Sequence, residues 1–308
     1  MNGTVFGREA ELVEVDATLA DAREGFAALV LEGDPGIGKT TVWRRGMARA
    51  ADQGCRVLSC RAVSAEAKLS FAALGDLLAP IEPAVFDALP GPQRRALDAA
   101  LLRKDEEGVA PNPRAIGTGI VTLLSTLAAA APVVLAVDDV QWLDLPSARA
   151  LEFALRRLEA RPVAVLATRR LGVESTGSGL LATGERVRAL RVGPLSIAAL
   201  YRIVEERLGK KLPRPVLVRI ERASGGNPFF ALEIARALAA HGSPAAGENL
   251  PIPDDLSQLV TERLRKLPQR TRDALLRASA LAQPTLALVD AAALAPAEEA
   301  GIVRLGSD

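Results

Sequence analysis

Residues 33–40, GDPGIGKT, set glycines, a lysine and a threonine at the spacing G-x-x-x-x-G-K-[ST]. These residue types fit one chemistry. Gly36 and Gly38 let the backbone curl so that successive N–H groups point inward at phosphate oxygens. A helix opening at Lys39 adds its positive N-terminal end. Lys39 can neutralise β- and γ-phosphate charge, and the Thr40 hydroxyl can ligate Mg²⁺. The phosphate-binding set is read as Gly33, Pro35, Gly36, Ile37, Gly38, Lys39, Thr40 and Thr41.

About a hundred residues on, VVLAVDDVQWLD (133–144) ends an apolar run in two acids. Asp138 is placed to hold Mg²⁺, through water, opposite Thr40. Asp139 can polarise an attacking water near the γ-phosphate. Many phosphate-loop ATPases carry Glu there. Asp is one methylene shorter, which leaves the base short of reach and hydrolysis slow. Both acids also fit a solvated turn. Gln141 and Asp144 are polar neighbours, and Asp144, two residues before Pro146, reads better as a helix cap. A further run, VAVLATRR, ends in Thr168, Arg169 and Arg170. A polar or basic residue at that tip can reach between the attacking water and the γ-phosphate, and Arg169 is assigned there. An Arg pair on a solvated loop is the alternative.

Such residues need a scaffold that gathers strand ends. An amphipathic helix is expected over 9–24, with Leu12, Val15, Leu19 and Ala22 on one face. Continuous apolar runs predict buried strands over 26–31, 133–137 and 163–168, with further strands over 56–61 and 186–192. Helices are expected over 39–52 and 146–160, and across 71–131 with breaks at Pro80, Pro83, Pro90 to Pro92 and Pro111 to Pro113. Strands separated by helices predict an α/β fold with a doubly wound parallel sheet. After Pro194 only helices are expected, over 196–208, 213–223 and 228–240. Residues 241–253, HGSPAAGENLPIP, have linker composition, and GVESTGSG reads as a flexible loop. Helical periodicity resumes at Asp254. The final GIVRLGSD reads as the opening of a hairpin, so the chain is expected to be a piece of something longer.

Composition narrows the classes. Of 308 residues, 49% are hydrophobic, 24% charged and 3% aromatic, which excludes a disordered chain and leaves few surfaces for stacking bases. A net charge of +1 gives no global attraction to nucleic acid. Cys55 and Cys60 make neither a disulfide framework nor a zinc site and read as buried or half-buried thiols. The N-terminus has acids and no apolar core of a signal peptide. The charge-free stretch 115–137 is long enough to span a bilayer, but Thr, Ser and Gly dilute it and Pro132 divides it. A buried helix followed by a buried strand fits better, so no membrane partner and a cytoplasmic location are expected. His241 reads as a helix C-terminal cap, and Trp43 and Trp142 as packing residues.

Together these residues resemble the STAND class of AAA-related ATPases, especially the large ATP-binding LuxR-type transcription regulators. FGREAEL resembles the family's Gly-Arg-Glu motif, which implies that Phe6, Gly7, Arg8 and Glu9 lie against adenine. GDPGIGKT and VDDVQWLD match in wording and spacing. GGNPFF (225–230) resembles the family's Gly-x-Pro motif, which implies that Pro228 contacts the base; from the residues alone it is a loop with Asn227 as cap and Pro228 at the first helical position. The resemblance implies a P-loop NTPase sheet of AAA-like type over 1–192, a helical lid over 193–250 and a partial winged-helix domain over 251–308. In the family a helical-repeat sensor and a DNA-binding helix-turn-helix follow, so no direct nucleic-acid binding is expected within these residues. The basic cluster Arg263, Arg265, Lys266, Arg270, Arg272 and Arg277, beside Asp254, Asp255, Glu262 and Asp273, reads as a solvated helical face or a closed-state contact.

The function expected is an ATP/ADP-binding switch, Mg²⁺-dependent and slow to hydrolyse, with self-association in the ATP state. The alternative is a P-loop kinase acting on a small molecule. A GTPase is disfavoured because Asn-Lys-x-Asp is absent, and a cassette ATPase because Leu-Ser-Gly-Gly-Gln is absent.

Overall fold

A computed structural model describes residues 5–103, 112–172, 186–209, 211–241, 261, 264–265, 267–281, 284–285, 288–300 and 302–303. The chain divides into two compact units. One comprises Met1–Asp34 and Lys39–Val192, the other Pro35–Gly38 and Gly193–Asp308.

The first unit is a sheet of β1 (Ala27–Gly33), β2 (Arg56–Arg61), β3 (Val133–Asp138), β4 (Val163–Arg170) and β5 (Val187–Arg191). The order is β2-β3-β4-β1-β5, and every neighbouring pair is parallel. The apolar runs follow from burial on both faces. Val163, Val165 and Ala167 share one core with α3 (Ala72–Leu78), α5 (Gly91–Ala100), α6 (Pro113–Ala130) and α7 (Leu145–Leu155). Leu166, pointing the other way, lies on the side of α2 (Lys39–Asp52), and its carbonyl accepts the Trp43 indole N–H at 3.0 Å. There α1 (Glu9–Asp21) packs on α2 and β1 with Leu12, Val15 and Leu19 buried. The short α4 (Pro83–Asp87) leans on α6.

The charge-free stretch is a helix and then a strand. By length and composition α6 could cross a bilayer, yet Ile116, Ile120, Leu123, Leu124 and Leu127 fill the core. Cys55 is half-buried and Cys60 buried, and burial, with the nearby Asp76, Asp144 and Asp138, pushes the Cys60 thiol above its ordinary range.

Two helices end earlier than their patterns suggest. After Asp21, Arg23 and Glu24 bond three residues back, to Ala20 and Asp21. After Leu155, Arg157 and Leu158 bond to Ala154 and Leu155, a tighter turn that puts Leu158 fully in the core.

The second unit is helical. Ser196 caps α8 (Ile197–Leu208), accepting the Ala199 N–H at 3.3 Å, and Gly209 ends it. Next come α9 (Arg214–Ser224) and α10 (Pro228–His241), and the three pack pairwise around Leu200, Val204, Ile220, Ala231, Ile234 and Leu238. A smaller cluster of Ala274, Val289, Ala293 and Leu294 joins α11 (Gln269–Ser279) to α12 (Ala291–Glu299). The linker 242–253, the loop 173–179, most of GIVRLGSD, the His241 side chain, and Arg263, Lys266, Asp254, Asp255 and Glu262 lie outside the described residues.

Candidate nucleotide site at the ends of the parallel strands

The strand order decides what meets. β4 lies between β1, which leads into the loop at 33–40, and β3, which ends in the acids. Val137 is level with Ala167, so Asp138 and Thr168 are neighbours one step further on. On the opposite side of β3, Arg61 is level with Asp138.

Asp138 is fully buried. Its carboxylate accepts from the Thr168 hydroxyl at 2.6 Å and from the Thr40 hydroxyl at 3.2 Å, and Arg61 Nε stands 3.6 Å away. Thr40 and Asp138 are thus brought together as a metal pair would require. Among the described residues no group of three or more His, Cys, Asp or Glu is placed to hold a metal ion. One hydroxyl and one carboxylate instead make a sparse, all-oxygen donor set, which suits Mg²⁺, an ion that keeps its waters and takes phosphate oxygens.

Lys39 opens α2 with 6% of its surface exposed. Its ammonium donates to the carbonyls of Gly33 and Asp34, each at 3.0 Å. Burial lowers its pKa, and Arg170 pushes the same way, while Asp139, Asp138 and Asp34 hold it up. A buried cation resting on carbonyl dipoles is ready for an anion. Thr41 follows on the exposed side of α2. In the second unit the loop tip is shaped by positive φ, +77° at Gly36 and +106° at Gly38. A Cβ on Gly36 would come within 2.8 Å of Phe229 Cβ. Asn227 Nδ2 donates to the Pro35 carbonyl at 2.9 Å, and Asn227 Oδ1 accepts the Phe229 N–H at 3.1 Å. Asn227 therefore caps α10 and ties down the loop tip, with Pro228 in the first helical position; Ile37 is buried.

Asp139 adopts a left-handed backbone, φ 56° and ψ 54°, which Asp tolerates better than most residues. Its N–H donates to Thr168 Oγ1 at 2.8 Å. Its carboxylate takes Gln141 Nε2 at 2.7 Å and both Arg170 Nε and Nη2, at 3.2 and 3.1 Å. Burial pushes this carboxyl up, but the hydrogen bonds from Arg170 and Gln141, with the charges of Arg170 and Lys39, hold it below the ordinary range.

Arg169, the residue expected at the γ-phosphate, lies apart from the two acids. Strand alternation turns it away from Thr168 and Arg170, and it pairs with Glu32 on β1. Arg170 is the basic side chain that reaches Asp139. Arg61 was not singled out from sequence; its position ending β2 is legible, but its partner depends on β2 lying beside β3. Near the amino end Arg8 is buried, pairing with Glu11 at 2.7 Å; Gly7 has φ 65° and Phe6 is half-buried. Asp144 is the cap the sequence suggests, accepting the Ser147 N–H at 2.9 Å.

A family model described as AAA ATPase domain matches residues 4–166, more than half of the chain. The chain belongs to the AAA ATPase domain family. It is an AAA ATPase-type nucleotide-binding domain, with the five-stranded parallel sheet and flanking helices of an α/β P-loop NTPase. Similar solved structures include the Aeropyrum pernix ORC1 protein in complex with DNA, at 21% identity over 90% of this chain and 73% of that one, with a TM-score of 0.48. Another is the Aeropyrum pernix ORC2 protein (ADPNP-ADP complexes), at 16% identity over 89% and 74%, with a TM-score of 0.46. No curated protein matches the chain.

Proposed function

We propose that this AAA ATPase domain is an ATP/ADP-binding signalling switch with slow, Mg²⁺-dependent hydrolysis, serving as the regulatory ATPase module of a transcriptional regulator of the STAND, LuxR-type kind. The observation that carries it is Asp139, an Asp rather than Glu beside the metal carboxylate, whose oxygens are taken by Arg170 and Gln141. Such a base suits a timer better than a metabolic catalyst.

The loop residues Gly33, Pro35, Gly36, Ile37, Gly38, Lys39, Thr40 and Thr41 hold the phosphates, with Lys39 against the β- and γ-oxygens. Thr40 and Asp138 hold Mg²⁺, which when bound neutralises charge on those oxygens. Phe6, Gly7, Arg8 and Pro228 are assigned to the adenine by resemblance. In hydrolysis a water oxygen bonds to the γ-phosphorus and the bond to the β–γ bridging oxygen breaks. ADP leaves with that electron pair, and the water proton passes to Asp139 and on to solvent.

Residues 193–250 are read as the lid and 251–308 as the opening of a winged helix. ATP against ADP biases them between two arrangements, with self-association in the ATP form and no nucleic acid or membrane bound by this chain. A cytoplasmic location goes with this reading.

Lys39→Ala is expected to abolish binding of ADP and ATP in calorimetry, and the purified wild type is expected to carry ADP. Micromolar affinity retained by the variant, with no nucleotide released from denatured wild type, would overturn the switch.

A further inference from the structure

Arg170 is spent in a way that a sensor waiting for phosphate does not require. Its guanidinium grips Asp139 at two points, Nε on Oδ1 at 3.2 Å and Nη2 on Oδ2 at 3.1 Å. Two-point pairs of this kind are the strong, directional form of the Arg–carboxylate contact. Gln141, itself 2% exposed, braces both partners. Its Nε2 donates to Asp139 Oδ1 at 2.7 Å, and its Oε1 accepts the Arg170 N–H at 3.2 Å. The backbone of Asp139 is fixed from the other side by Thr168. The Arg170 side chain, on the last residue of β4, is 37% exposed to solvent, while the Asp139 side chain is 11% exposed.

A carboxylate whose two oxygens receive three N–H bonds has little capacity left to orient a water. It gains that capacity only if the guanidinium leaves. Arg170 leaves at low cost only for another anion, because a guanidinium drawn off its carboxylate without a new partner loses both charge-assisted bonds. Arg170 is held on Asp139, and the charges of Asp139 and Arg170 both reach Lys39, so the two cations lie on either side of the same carboxylate's field. An anion drawn in by Lys39 arrives within the field of Arg170.

We propose that Arg170 is an exchangeable clamp that holds Asp139 until the terminal phosphate of a nucleoside triphosphate takes its place, so that Asp139 is freed only when ATP, not ADP, is bound. Gln141 is a positioning residue that keeps clamp and carboxylate in register. The clamp makes Arg170 the residue that discriminates ATP from ADP, since only the triphosphate regains a partner for the guanidinium. It rests on the nucleotide-switch reading above and adds the element that makes the two nucleotides unequal.

The test is a double-mutant cycle read by binding rather than turnover. Wild type, Asp139→Asn, Arg170→Gln and the double variant are titrated in a calorimeter with Mg²⁺ and either ADP or the β,γ-imido analogue of ATP. Breaking the pair from the Asp139 side releases Arg170, so the analogue should bind about tenfold tighter while ADP changes less than about twofold. In the Arg170→Gln background, Asp139→Asn should change affinity for the analogue less than about twofold. Equal gains in both backgrounds would reduce the effect to simple removal of negative charge and overturn the clamp. Wild type that binds neither nucleotide would overturn the switch itself, a distinct outcome. Thermal melts check folding, and Arg170→Lys, which keeps charge without the two-point geometry, repeats the cycle if Arg170→Gln does not fold.

Discussion

The hydroxyl of Thr168 donates to Asp138 at 2.6 Å, and the same oxygen accepts the N–H of Asp139 at 2.8 Å. One side chain from β4 thus sets both acids at the end of β3, with its single proton committed to Asp138. Thr168→Val keeps the shape and removes both bonds. It leaves a buried N–H without a partner, a loss of about 1–3 kcal/mol. Denaturant unfolding should show that loss, and more Mg²⁺ should be needed to support ATP binding. Thr168→Ser should restore both properties, since the hydroxyl rather than the methyl carries them.

Arg169 and Arg170 are adjacent and should behave differently. Arg169 pairs with Glu32 across the β4–β1 ladder, partly exposed to solvent. Arg169→Ala should cost at most about 1 kcal/mol in unfolding and leave affinity for ADP and ATP within about twofold. A large loss of ATP affinity would return the sensing role to Arg169 and remove it from Arg170.

The scaffold was legible because strands buried on both faces give apolar runs, as in residues 27–31 and 133–137, and because turn chemistry marks their ends. Phosphate chemistry was legible because its residues are consecutive. Contacts that depend on face or on strand order were not. Alternation says that Thr168 and Arg170 share a side and Arg169 does not, but no local signal says which side meets Asp139. Arg61 meets Asp138 because β2 lies beside β3, and a pattern of alternating strands and helices is compatible with several orders. The end of α7 escaped for a different reason. Residues 156–160 still suit a helix, and the tighter turn that buries Leu158 is imposed by the core.

Asp144 separates support from chemistry. Its carboxylate caps α7 at Ser147 and also accepts the N–H groups of Phe71 at 2.8 Å and Ala73 at 3.2 Å, where α3 begins. One buried group therefore ties two helices beside β2 and β3. Asp144→Ala removes a cap and strands two further amides, so a loss of about 2–4 kcal/mol is expected in chemical denaturation. Where the variant remains folded, ADP affinity should be close to wild type. A selective loss of nucleotide binding without loss of stability would instead make Asp144 part of the site.

Asn227 joins two jobs in one amide, and a single substitution can divide them. Its Oδ1 caps α10 through the Phe229 N–H, and its Nδ2 donates to the Pro35 carbonyl at the tip of the phosphate loop. Asn227→Asp keeps the acceptor that the helix needs and replaces the donor with a charged oxygen facing a carbonyl. The cap should survive, so the change in stability should stay within about 1 kcal/mol. The loop tip loses its tether and gains a negative charge nearby, so affinity for ADP should fall by about tenfold or more. Asn227→Ala should differ by losing the cap as well, with a larger drop in stability. If Asn227→Asp binds ADP like wild type, the tether to Pro35 has no part in holding the loop for phosphate.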